Sequence, residues 1–135
     1  MKQKPLLSQL ETDRMLRVAR DEAQRNQWAV SIAIVDDGGH LLAFERLDGC
    51  APVAAYIATE KARTSALGRR ESGFYESMIN NGRNAVLCVP TLQGMLEGGI
   101  PILVDGQVVG AVGVSGVMAE QDAQIARKAA LALGQ

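Results

Sequence analysis

His40 is the only histidine in the 135-residue chain, and it directly follows the turn residues Asp36-Asp37-Gly38-Gly39. It is therefore the one imidazole available for acid–base work or for ligating haem iron. The competing reading is a strand-start residue at the surface. Lys61 lies four residues after Ile57 and three after Ala58, at the edge of an apolar helical stripe. Its stem can lie along that stripe while its ammonium meets Glu60 or a ligand acid, so ligand contact and structural salt bridge both stay open. Arg63 is three residues from Glu60, the spacing of a solvated ion pair. Glu97 stands among Gly94, Gly98 and Gly99, where its carboxylate could accept from a polar ligand or a loop amide. Cys50 and Met95 are soft potential iron ligands, and each also reads as plain packing.

These groups do not assemble into a catalytic set. The chain holds no Ser-His-Asp order, no paired carboxylates at an obvious site and no H-E-x-x-H, so no activated nucleophile is indicated. It lacks both G-x-G-x-x-G and G-x-x-x-x-G-K-[ST]. One histidine and two well-separated cysteines cannot make a structural zinc site or a CxxC redox motif.

Glycine is in excess and unevenly placed. There are 14 glycines, about a tenth of the chain, against a usual share of roughly 7%. Half of them lie between Gly94 and Gly116. Gly110, Gly113 and Gly116 punctuate a strand otherwise made of Val, Ala and Ser. Bare backbone there lets a flat ligand come close, or lets a helix pack tightly on the sheet. The loop Gly98-Gly99 before Ile100-Pro101 reads as the more functional of the two groups.

Composition excludes several classes. A net charge of −1 and five aromatic residues give neither a basic face nor a base-stacking platform for nucleic acid. No run of 18 apolar residues exists, so no membrane span is expected. Met1 to Leu10 has lysines but no apolar core of a signal peptide. The expectation is a cytoplasmic protein of one domain, 1–135, with Cys50 and Cys88 as thiols.

The elements that must position these residues follow from the pattern. Ser8 to Glu11 is S-x-x-E, a capping box for a helix running to about Asn26, with Leu10, Leu16 and Ala19 on its buried stripe. Trp28 to Val35 reads as a strand with both faces apolar. Asp37-Gly38 suits a type I′ hairpin into His40 to Leu47. Pro52 to Leu67 is a helix with Val53/Ala54, Ile57/Ala58 and Ala62 as its apolar stripe. Phe74 to Asn81 is a short helix, Val86 to Val89 a short apolar run. Ile100 to Val104 and Val108 to Ser115 form a second hairpin. An alanine-faced helix covers about Ala119 to Leu133. Paired hairpins imply antiparallel strands. The expected fold is α+β, an antiparallel sheet of about five strands with both faces covered by helices or another subunit.

Three blocks in order carry a resemblance over about residues 8–133: Ile34-Val35-Asp36-Asp37-Gly38-Gly39-His40 with Leu41 to Phe44; Glu60-Lys61-Ala62-Arg63-Thr64-Ser65-Ala66; and Gly98-Gly99-Ile100-Pro101-Ile102 with Asp105 to Gly116. Glu120-Gln121-Asp122 follows. Together they resemble the GlcG/HbpS-like family of haem-binding domains, which is similar to the C-terminal part of PduO-type cobalamin adenosyltransferases. The resemblance implies a profilin-like α/β/α fold with a five-stranded antiparallel sheet, assembled as tetramers or octamers. It implies haem, iron or corrinoid chemistry, beside diol, glycerol or glycolate metabolism. His40 in the G-G-H motif is the implied metal ligand. Lys61, Arg63 and the Gly98-Gly99 loop, with Pro101 in the same block, are the implied pocket residues, and Glu97 joins them as a candidate from its own place in the glycine loop. Relatives often carry Thr-Pro where this chain has Met118-Ala119, which removes a hydroxyl N-cap.

Three functions follow. The first is a non-catalytic tetrapyrrole-binding accessory protein. The second is an enzyme on haem or a small organic acid, with Lys61 and Arg63 on a carboxylate and His40 moving a proton. The third is a homo-oligomeric partner protein without a ligand of its own.

Overall fold

Helix α1 (Gln9–Arg25) begins where the capping signal places it, with the Ser8 N–H donating to the Glu11 carboxylate at 2.7 Å. The structure is a computed structural model and describes residues 1–134. Strands β1 (Ser31–Asp36) and β2 (Leu41–Arg46) form the first hairpin, and β3 (Gly99–Val104) and β4 (Gln107–Ser115) the second. β1 and β4 pair antiparallel, from Ser31 opposite Ser115 to Asp36 opposite Gly110, so the sheet order is β2-β1-β4-β3.

The sheet has four strands among the described residues, not the expected five. The remaining apolar run, Val86 to Val89, lies mostly in a 3-10 helix over Asn84–Cys88. Only Val86 is buried there, whereas Leu87 and Val89 are exposed. A strand needs alternate side chains covered along its length, and this run offers one.

The two faces of the sheet differ in residue size. Ile32, Ile34, Val112 and Val114 face α1 and α4 (Ala119–Leu131) and build the main core with Met15, Ala19, Ile125 and Ala126. Ala33, Val35 and Ala111 face α2 (Pro52–Gly68) and meet Ala58, Ala62 and Ala66. Small side chains on both partners let α2 approach the sheet closely. A Cβ on Gly113 would stand 2.1 Å from the Ala58 carbonyl oxygen. At Gly113, close packing by the chain's own helix is therefore the geometry present, whereas Gly110 lies against the Val35 carbonyl and Gly116 against the Ala29 carbonyl. The α2 stripe runs through Ala54, Ala58, Ala62 and Ala66 rather than Val53, which is exposed, and in α1 Leu10 is likewise exposed.

The hairpin turns also differ. Asp105 (φ +50°) and Gly106 (φ +77°) give the second hairpin two left-handed residues, as a type I′ turn requires. In the first, only Gly39 is left-handed, at φ +81°. Its N–H donates to the Asp36 carbonyl at 3.1 Å. This is a three-residue loop closed by a left-handed glycine, not the expected type I′ turn. The Asp36 carboxylate sets it by accepting from the Gly38 and His40 N–H groups, each at 2.9 Å.

Candidate functional site

The structure divides the predicted residues between the two ends of the sheet. Lys61 meets β4 at Val114, opposite Ile32 of β1, whereas His40 follows the turn after Asp36, four strand steps or roughly 13 Å along β1.

At one end lie Lys61, Gly98 and Gly99. Lys61 is 3% exposed. Its Nζ donates to the Val114 carbonyl and to Asp122 Oδ2, both at 3.0 Å. The salt bridge is thus the geometry present, and it ties α2 on one face of the sheet to the first turn of α4 on the other. Gly98 has φ +135°, and a Cβ there would stand 2.8 Å from Lys61 Nζ; the bare backbone leaves room for the ammonium. Gly99 lies under the Lys61 carbonyl, and its N–H donates to Ser72 Oγ at 2.8 Å. Burial raises the Asp122 carboxyl above the ordinary carboxylate range, while Lys61 and the Val117 N–H oppose that shift. Asp122 Oδ1 accepts from Val117 N–H at 3.1 Å, and Gln121 Oε1 from Met118 N–H at 3.2 Å. Side chains inside α4 thereby serve the N-terminus that a threonine would otherwise cap. Glu97, half-buried, donates its N–H to Glu76 Oε1 at 2.9 Å and lines a surface cleft of about 450 Å³ with Arg70 and Phe74. Pro101 sits on the edge strand β3, where its missing donor is tolerated, and it lies opposite Ala111, which pairs with Val35 toward the His40 end.

At the other end lies His40, its side chain 81% exposed. Nδ1 is 3.1 Å from Asp36 Oδ1, and Nε2 makes no hydrogen bond among the described residues. Gly39 lies over the stem of Arg63, whose Nη1 donates to Glu60 Oε2 at 2.8 Å. The second aspartate of the turn makes no hydrogen bond to the imidazole among the described residues. Asp37 pairs with Lys4 and lies 3.7 Å from Arg69 Nη2, and Lys4 holds its carboxyl below the ordinary range. β2 leaves His40 as an edge strand whose apolar side chains are uncovered: Leu41 is 53% and Phe44 37% exposed. Together with Ala55, Tyr56, Thr59 and Glu60 of α2 they form an open trough of about 320 Å³. Both faces of β1 are covered, as expected, but this face of β2 is not.

Two residues central to this geometry, Asp36 and Asp122, stand in the sequence only as part of a turn and of the block Glu120-Gln121-Asp122. Asp36 was within reach, since Asp-x-Gly-Gly-His places a carboxylate four residues before the imidazole across a tight turn. Asp122 had no such signal, because its partner is 61 residues away.

The match to the family described as "Haem degrading protein HbpS-like" covers residues 7–131. The chain belongs to this HbpS-like family. It is 59% identical over 115 residues to protein GlcG of Escherichia coli strain K12, covering 85% of each. Among solved structures it is similar to HbpS of Streptomyces reticuli in a double-mutant form, with TM-score 0.89 and 27% identity over 100% of this chain and 92% of that one. It is also similar to PduOC in complex with heme, with TM-score 0.82 and 27% identity over 95% of each. No helix among the described residues is long and apolar enough to cross a membrane.

Proposed function

We propose that this protein is an accessory binder of a tetrapyrrole, haem in the first place and a corrinoid in the second, with His40 as axial ligand. One observation carries the reading. The only imidazole of the chain stands exposed, with Nδ1 against the Asp36 carboxylate and Nε2 open. A histidine that ligates a metal usually gives its other ring nitrogen to a carboxylate or carbonyl, and His40 is arranged that way.

The residues fit haem better than a bare metal ion. No group of three or more His, Cys, Asp or Glu side chains able to hold a metal occurs among the described residues, so the porphyrin would have to supply the remaining ligands. Leu41, Phe44 and Tyr56 offer apolar and aromatic contact to a flat macrocycle, and Arg63 offers a cation to a propionate. Haem would supply the iron; the chain supplies the ligand, the apolar wall and the charge. Lys61, Gly98 and Gly99 act through the scaffold, because Lys61 Nζ is engaged by Asp122 and Val114. Glu97, in the surface cleft with Arg70 and Phe74, and Pro101, on the edge strand, line no part of the trough. The trough is open on one side, so a second copy closes it, and the working form is a homo-oligomer, tetramer or octamer. The setting is cytoplasmic, beside diol, glycerol or glycolate metabolism; Cys50 and Cys88 are free thiols.

Titration of the apo protein with hemin tests this reading. A saturable Soret shift lost in His40→Ala is expected, and an identical spectrum in that variant removes His40 as ligand. The family description favours one second reading, haem degradation. Hemin incubated with a reductant separates the two: biliverdin or verdohaem marks turnover, and a stable haem spectrum marks binding.

A further inference from the structure

We infer that Asp36 is a positioning residue that fixes the tautomer of His40 and tunes the iron it holds; this rests on the haem reading above. The two aspartates of the turn divide their work. Asp37 is taken up by Lys4 and Arg69. Asp36 Oδ1 is shared by three nitrogens, the Gly38 N–H at 2.9 Å, the His40 N–H at 2.9 Å and His40 Nδ1 at 3.1 Å, with Oδ2 3.2 Å from the same ring nitrogen. The two backbone bonds fix the carboxylate relative to the ring.

A carboxylate accepts and does not donate. The Nδ1 beside it therefore carries the proton, and the lone pair of neutral His40 stands on Nε2. The carboxylate also makes the imidazole a stronger donor, which favours ferric over ferrous iron. Asn at position 36 keeps an oxygen for the two backbone N–H groups, so the turn survives while the charge is removed.

Because His40 is the only histidine, nitrogen-15 NMR of its ring is read without ambiguity. Wild-type apo protein should show the Nδ1–H tautomer, and Asp36→Asn should shift the ring toward Nε2–H. With hemin bound, Asp36→Asn should raise the Fe(III)/Fe(II) midpoint potential and weaken hemin affinity roughly 10–100-fold. An Nε2–H tautomer in the wild type overturns the inference whether or not the variant folds. An unmoved potential in a variant whose His40-dependent Soret band persists overturns it too, and leaves the haem reading standing. If His40→Ala leaves the hemin spectrum unchanged, this inference falls together with His40 as the ligand, and if wild type gives no Soret shift at all the haem reading falls.

Discussion

Lys61 Nζ and Asp122 Oδ2 lie 3.0 Å apart with both side chains under 5% exposed. This ion pair joins the two helical layers past the end of the sheet, since Lys61 belongs to α2 and Asp122 to α4. Burial of this kind is costly for each charge alone and is offset only by the partner.

Lys61→Met should destabilise the fold by about 3–5 kcal/mol in urea unfolding, because it strands the Asp122 carboxylate in the interior. Adding Asp122→Asn should recover much of that loss. The loss should also depend on pH. The folded Asp122 carboxyl titrates above its unfolded value, so its burial favours folding when it is protonated. That contribution is lost as pH rises through the raised value. Lys61→Met should therefore be milder near pH 4 than near pH 8. Equal losses at both would mean that the stranded charge is not the cause.

Gly113→Ala should cost about 1–3 kcal/mol or more, since its Cβ would stand 2.1 Å from the Ala58 carbonyl and 2.5 Å from the Ala62 nitrogen. Thermal unfolding should fall by roughly 3–5 °C per kcal/mol. Gly106→Ala is the control. It has φ +77° and nothing within 4 Å, so it should show only the left-handed strain, about 1–2 kcal/mol. A smaller loss at Gly113 than at Gly106 would contradict the close packing of α2.

Ser65→Ala should stabilise the protein. Ser65 is fully buried and its hydroxyl has no hydrogen-bond partner among the described residues. Removing an unsatisfied buried hydroxyl from the C-terminal half of a helix should add about 1 kcal/mol, read as a higher midpoint in thermal unfolding. A lower midpoint would reveal a partner for that hydroxyl.

The sequence carried most of the fold because its signals are local. The capping box at Ser8, the Asp105-Gly106 turn and the apolar period of β1 each act over a few residues, and the structure forms all three elements there. The strand count failed for a physical reason: Val86 to Val89 is apolar by composition but has only one position to bury. The candidate site was half legible. His40 and the small-residue stripe were visible, but the separation of His40 from Gly98-Gly99 was not. It depends on the β1–β4 pairing, which joins residues about 80 positions apart. The Lys61–Asp122 pair was hidden for the same reason, and spacing along α2 could not choose between a ligand and a distant carboxylate.

Leu41→Glu separates the binding trough from the fold. Leu41 is 53% exposed on the edge strand, so a charge there should change stability by no more than about 0.5 kcal/mol. It faces the same open trough as Phe44 and Tyr56, and a carboxylate in that wall disfavours both an apolar macrocycle and a second copy of the chain. Two measurements check this together. Hemin titration should show weaker binding with an unchanged Soret position, since His40 is untouched. Light scattering should show a smaller mass than the wild type at the same concentration. Weaker hemin binding at unchanged mass would place the trough in the ligand site but outside the contact between copies. A smaller mass at unchanged hemin affinity would place it in that contact alone. If neither quantity moves, the exposed face of β2 belongs to neither.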